Sequence, residues 1–152
     1  MLSKKWFNLL NILVLFSVVS FSAHAVEPIY TATFSNVAIK GYDPVAYFTD
    51  NAPVQGSETY QYPWQGAVWY FSSAKNLALF KANPEQYAPQ YGGYCAYAVA
   101  NGKTAKIDPS QFSIVDGKLY LNYNAKIQSR WLEQRDHYIG LADRHWPAIL
   151  AK

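Results

Sequence analysis

One cysteine and three histidines are all that the 152-residue chain offers for thiol or imidazole chemistry. Cys95 lies in Gly92-Gly93-Tyr94-Cys95-Ala96-Tyr97. The paired glycines allow close backbone approach. Cys95 also opens a predicted short helix, whose positive end lowers a thiol pKa. Ala96, Ala98 and Val99 predict burial instead, which desolvates a thiolate and raises the pKa. Full burial can shift a pKa by up to ~3–5 units, more than so short a helix can offset. Cys95 is therefore expected to react slowly in the native protein. A reactive Cys95 would make the chain a thiol-dependent enzyme or redox sensor; a buried one is a small packing group.

His137 and His145 fall eight residues apart on one predicted helix, with His145 on its apolar stripe. A one-helix metal clip wants a spacing of four. A Cys95–His145 pair across the fold would suit Cu(I), whereas zinc wants more ligands. Copper is thus the open cofactor, and tight zinc binding is not expected. Asp43, ahead of Pro44, reads as a helix N-cap. Asp43, Tyr47, Tyr94 and Tyr97 form the candidate surround of a pocket beside the thiol. The chain has no GxGxxG, Walker A, GxSxG or HExxH pattern. No catalytic residue is assigned, and binding is favoured over catalysis.

Thirteen tyrosines, with five tryptophans, are unusual at this length. Aromatic rings bury large areas and stiffen a core that has no disulfide. An exposed aromatic face would instead stack a sugar, nucleobase or peptide, or dock another exported protein. Single-stranded nucleic acid wants Lys and Arg interleaved with the rings. The aromatic strands lack them, so nucleic acid is excluded as a partner.

The elements that position these groups are short. Val37–Tyr42 reads as a strand running into a turn, followed by one helical turn at Val45–Phe48. Thr59–Tyr62 and Ala67–Phe71 alternate as strands about a Pro63–Gly66 turn, a hairpin. Ser72 or Ser73 caps a helix to Ala82, and Asn83-Pro84 stops it before another turn at Pro84–Tyr87. Cys95–Ala100 is a buried short helix ended by Asn101-Gly102. Phe112–Val115 and Lys118–Leu121 flank Asp116-Gly117, the residue pair of a type I′ hairpin turn. Asn124 caps a long final helix on which Ile127, Trp131, Tyr138, Ala142 and His145 repeat at 3.6, and Pro147 ends or kinks it. The expected class is α+β: a small antiparallel sheet of hairpins packed against helices, with a long C-terminal helix.

Residues 1–25 read as a cleaved signal peptide: Lys4-Lys5, an apolar run from Leu9 to Phe21, then Ser22-Ala23-His24-Ala25. Residues 26–152 are expected to form one domain, periplasmic or secreted, with no membrane span after cleavage. Lys4 and Lys5 are two of the thirteen basic residues that face ten acidic ones, so the net charge of +3 owes much to the leader. A hydrophobic share of 51% against 15% charged excludes a disordered chain. A single Cys excludes an intramolecular disulfide and a CxxC pair.

Trp69-Tyr70-Phe71-Ser72-Ser73, the helix to Phe80 and then Asn83-Pro84-Glu85-Gln86-Tyr87 resemble the YHS-domain family. That family carries an aromatic strand, a helix ending in Phe, and Asn-Pro-Glu-x-Tyr. Asp43-Pro44-Val45-Ala46-Tyr47-Phe48 is similar to its opening motif, Asp-Pro-Val-Cys-Gly-Met. More broadly, residues 37–149 resemble an exported branch carrying Gly-Tyr-Asp-Pro-Val-Ala-Tyr-Phe and Gly-Gly-Tyr-Cys-Ala-Tyr. The resemblance implies a small binding or accessory protein linked to metal, specifically copper, handling, since such domains accompany copper-transporting ATPases and some multicomponent monooxygenases. Metal-associated members carry cysteines where this chain has Ala46, Ser72 and Asn76. These substitutions remove soft thiolate ligands, and alanine offers no donor at all.

Overall fold

Two hairpins and six short or medium helices, joined by turns, make up residues 25–152, the part of the chain that a computed structural model describes. The segment expected to be a signal peptide, residues 1–25, lies outside the described residues apart from Ala25. The first hairpin pairs β1 (Ser57–Trp64) with β2 (Ala67–Phe71). Its turn is tighter than the sequence pattern predicts. Pro63 and Trp64 are strand residues opposite Val68 and Ala67, and only Gln65-Gly66 turn, both at positive φ. Pro63 is tolerated because this two-stranded sheet leaves β1 an open edge. The second hairpin pairs β3 (Asp108–Val115) with β4 (Lys118–Asn122) about Asp116-Gly117, at φ 51° and 73° as a type I′ turn requires.

The class is the expected α+β. The hairpins do not join, however: each is a separate two-stranded antiparallel sheet. The expected Val37–Tyr42 strand is reduced to single bridges, Val37 beside Val68 and Ala38 beside Thr31. Ile39–Gly41 then winds into a tight 3-10 turn with Lys40 left-handed.

Four helices are close to expectation. They are α1 (Ala46–Thr49), α2 (Ala74–Ala82), α3 (Pro84–Tyr87) and α4 (Ala96–Ala100). Ser73 caps α2, its hydroxyl accepting from the Asn76 amide at 3.1 Å. The expected long C-terminal helix is present, but the stretch that follows its expected cap, Asn124, is not continuous. It is two helices, α5 (Ala125–Glu133) and α6 (Arg135–Leu150), broken at Gln134, where φ is −138° and ψ 45°. Asn124 caps the first of them, accepting from the Ile127 amide at 2.9 Å. Pro147 does not end α6, which runs on to Leu150. The break lets α5 seat Trp131 in the core while α6 lies along α4.

Two buried clusters fill the interior. One gathers Ile39, Tyr47, Trp69, Phe71, Phe80 and Cys95; the other gathers Tyr91, Val99, Tyr120, Trp131 and Ile149. Tyr94 and Tyr97 pack against both. Among the described residues no helix is long and apolar enough to cross a membrane.

Candidate functional site

Asp43 is wholly buried, and five donors converge on its carboxyl group. Oδ1 accepts from the Val45 and Ala46 amides at 2.8 and 3.3 Å, so Asp43 does cap the turn that starts α1. Oδ2 accepts from the Ser72 amide at 2.8 Å, the Ser72 hydroxyl at 2.7 Å and Asn76 Nδ2 at 2.8 Å. Ala46, Ser72 and Asn76, the three positions at which the resemblance implies cysteine in metal-associated members, therefore gather round one carboxyl group. They do not fit a soft metal. The hydroxyl and amide are committed to Asp43, and Ala46 presents only a backbone amide. The cluster is a tie between α1, the end of β2 and α2.

Cys95 stands at the cap position of α4 with 1% of its surface exposed. Its thiol meets Asn122 Oδ1 at 3.6 Å, and the same oxygen accepts from the Tyr97 amide at 3.2 Å. Asn122 donates on to Gln128 at 2.6 Å, and Gln128 donates to Ser113 Oγ at 2.8 Å. Burial pushes the Cys95 thiol up, outweighing the nearby backbone hydrogen bonds that favour thiolate. Iodoacetamide should therefore label Cys95 slowly in the native protein and quickly once urea unfolds it. Rapid native labelling at pH 6 would contradict this and revive the thiol-enzyme reading.

Neither glycine serves the thiol: Gly93 faces Ile39 and Pro89, and Gly92 faces Pro28. Gly92, at φ +61°, faces the N-terminal segment so closely that a Cβ would lie 1.8 Å from the Pro28 carbonyl oxygen. The Gly92 carbonyl in turn accepts from the Tyr30 amide at 2.8 Å.

His145 is half-buried, and its Nδ1–H donates to the Ala100 carbonyl at 3.0 Å. It thereby satisfies the last residue of α4, a helix end short of partners. Cys95 is at the first end of that helix, about 7 Å of rise away. His137 is exposed, in a shallow hollow of about 480 Å³ at the junction of α5 and α6. Among the described residues no three His, Cys, Asp or Glu side chains gather as a metal site.

Tyr47 is buried and donates to the Pro109 carbonyl at 2.8 Å. Tyr94 packs on Tyr30 and Trp146, and Tyr97 on Tyr138. Asp43, Tyr47, Tyr94 and Tyr97 thus serve packing and ties, and none lines the cleft beside α6. That cleft, about 570 Å³, opens between the β1–β2 turn, α3 and α6. Trp64, Glu85, Tyr91, Lys118, Asp143 and Trp146 line it. Sequence reasoning missed it because its walls come from five separate segments. The only hint was the surplus of aromatic residues. Tyr91 sits at positive φ and donates its hydroxyl to Asp143 Oδ1 at 2.8 Å.

Buried phenols give the fold an alkaline limit. Desolvation raises Tyr47 and Tyr91 well above the usual tyrosine range, with the Asp143 carboxylate adding to the effect on Tyr91. Desolvation also takes Tyr120 up to about 12. The folded chain therefore holds these protons more tightly than the unfolded one. The resulting stability is whole below the unfolded tyrosine value of about 10 and is lost as pH rises through the folded values. Melting temperatures should fall steeply above pH ~10, in step with a rise in tyrosinate absorbance. An undiminished melting temperature at pH ~12 would be incompatible with this.

Neither a curated protein nor a solved structure matches the chain. The sequence profile of the YHS domain does match, over residues 45–91, from the start of the first helical turn through β1, β2, α2 and α3 to Tyr91. The Ser72–Asn76 arm of the Asp43 tie falls within that span, and so do seven of the cleft's eleven lining residues, Trp64, Glu85 and Tyr91 among them. Over residues 45–91 the chain is thus similar to the YHS domain.

Proposed function

We propose that the protein is a small exported binding or accessory module, non-catalytic, whose residues 26–152 form one YHS-like domain. The observation that carries this is the closure of both chemically suggestive centres. Asp43 has its two oxygens saturated by neighbours, and Cys95 is buried against Asn122. The open, polar-lined and aromatic-walled feature is the cleft beside α6. Ligand clefts of this kind combine apolar walls with a few placed polar groups. Export is supported by the Lys4-Lys5, apolar, Ala-x-Ala order of residues 1–25, and the exported protein is expected to begin at Val26. N-terminal sequencing that returned Met1 from a membrane fraction would refute it.

The link to copper that such domains imply would rest here on Cys95 with His145, which face different partners at the two ends of α4. The test is titration of the reduced protein with Cu(I) and Zn(II). The expected result is no stoichiometric complex that survives dialysis against a mild chelator. A stoichiometric complex lost on Cys95→Ser would replace this reading with a metal-handling one.

A second reading, docking to another exported protein, is favoured by one observation. Phe34 is fully exposed in a left-handed conformation at φ 61°, in the turn closed by the Ser35 amide on the Ala32 carbonyl. A phenylalanine there bears both a backbone strain and an unburied ring.

A further inference from the structure

We propose that the cleft beside α6 is a carbohydrate site, taking a neutral oligosaccharide; this rests on the reading of the protein as a binding module and names its ligand class. Its volume of about 570 Å³ lies within the range of small-ligand clefts. The two indoles in its wall are half-buried, and each packs on two further aromatic rings. Trp146 is held by Tyr91 and Tyr94, with ring centroids 6.1 and 5.9 Å away. Trp64 is held by Trp69 and Phe80 at 5.9 and 5.7 Å. Rings fixed in this way bind without the ordering cost that loose side chains pay. They offer flat apolar surface to the C–H face of a pyranose ring.

The polar groups select among ligands. Asp143 has one oxygen oriented by the Tyr91 hydroxyl at 2.8 Å while the residue itself stays exposed. Glu85 and Lys118 are also exposed, and none of the three is in an ion pair among the described residues. Two carboxylates oppose an anionic ligand, nucleic acid included, and the lysine opposes a simple cation. A hydroxyl group both donates and accepts, so a neutral polyhydroxyl ligand can use the carboxylates and the ammonium together.

The test is an NMR titration of the isotope-labelled exported protein with maltotriose, cellotriose and chitotriose. Trp64 and Trp146 report on the cleft, while the fully buried Trp131, which touches neither, serves as a silent reference within the same spectrum. At least one trisaccharide should shift the two cleft indoles saturably and leave the Trp131 signal in place. Trp146→Ala should weaken that binding about tenfold or more. Trp146 also supports Tyr91, so Glu85→Ala and Lys118→Ala, at exposed positions, are the variants that leave the fold undisturbed. Each should weaken binding severalfold with an otherwise unchanged spectrum. Absence of saturable cleft shifts with all three sugars overturns the carbohydrate assignment. So does saturation by tetramethylammonium alone, although the binding-module reading then stands. Failure of that broader reading shows separately, in the metal titration.

Discussion

Asp43→Ala should cost about 3–5 kcal/mol of folding stability, since removing one partner of a buried polar cluster leaves the others without compensation. The variant deprives the Ser72 amide, the Ser72 hydroxyl, Asn76 Nδ2 and two α1 amides of their acceptor at once. Each stranded buried group costs roughly 1–3 kcal/mol, and water entering the vacated space recovers part of the total. Asp43→Asn should cost less but still measurably, because its amide nitrogen turns a donor toward other donors at one of the two sites. Urea unfolding gives the measurement. A midpoint shift equivalent to less than ~1 kcal/mol would show that Asp43 is a cap and nothing more. The loss should also appear locally, because Asp43 is what joins α1 to the β2–α2 junction.

Phe80→Ala should destabilise by a similar ~3–5 kcal/mol, for a different reason: it empties the middle of the aromatic cluster. Phe80 is fully buried, with the rings of Phe71, Trp69, Trp64 and Tyr62 at centroid distances of 5.1, 5.2, 5.7 and 6.5 Å. The neighbours cannot all collapse into the space, because Trp69 is pinned through Nε1–H to the Trp64 carbonyl at 3.1 Å. Phe80→Leu, which keeps most of the volume, should cost much less. Calorimetric melting and near-ultraviolet circular dichroism would register both the loss and the loosened tryptophans. A melting temperature within a degree or two of the parent would exclude Phe80 as the cluster's centre. With total stabilities of about 5–15 kcal/mol for such domains, either alanine variant removes a large share. Phe80→Ala should also blunt the cleft, because Trp64 loses its brace.

Most of the secondary structure was legible because its signals are local. Ser73 and Asn124 cap helices since a short side chain can reach an amide three residues on. Asp116-Gly117 turns since its backbone tolerates positive φ. The α+β class followed from the order of these elements. The pocket was not legible. Asp43, Tyr47, Tyr94 and Tyr97 were grouped by chemistry and neighbourhood in sequence, whereas the cleft is assembled from Trp64, Glu85, Tyr91, Lys118, Asp143 and Trp146. Asn122, which receives the Cys95 thiol, gave no signal at all, being one asparagine at the end of a strand.

By itself the sequence determined the capped helices, the two hairpin turns, the aromatic core and the YHS motifs, because each depends on residues a few positions apart. Only the tertiary structure decided which of them meet. It placed Ser72 and Asn76 on Asp43, some thirty residues earlier in the chain, and so built a structural tie across them. It broke the apparently continuous terminal helix at Gln134, where no proline or glycine marks the site. Seating Trp131 in the core and laying α6 along α4 demand different directions of one chain. It also set Gly92 against Pro28, and Cys95 and His145 at opposite ends of a helix. The physical reason is common to all of these. Caps and turns are settled by short-range sterics and hydrogen bonds, whereas burial and long-range polar ties are settled by which surfaces can be packed together without stranding a donor or leaving a void.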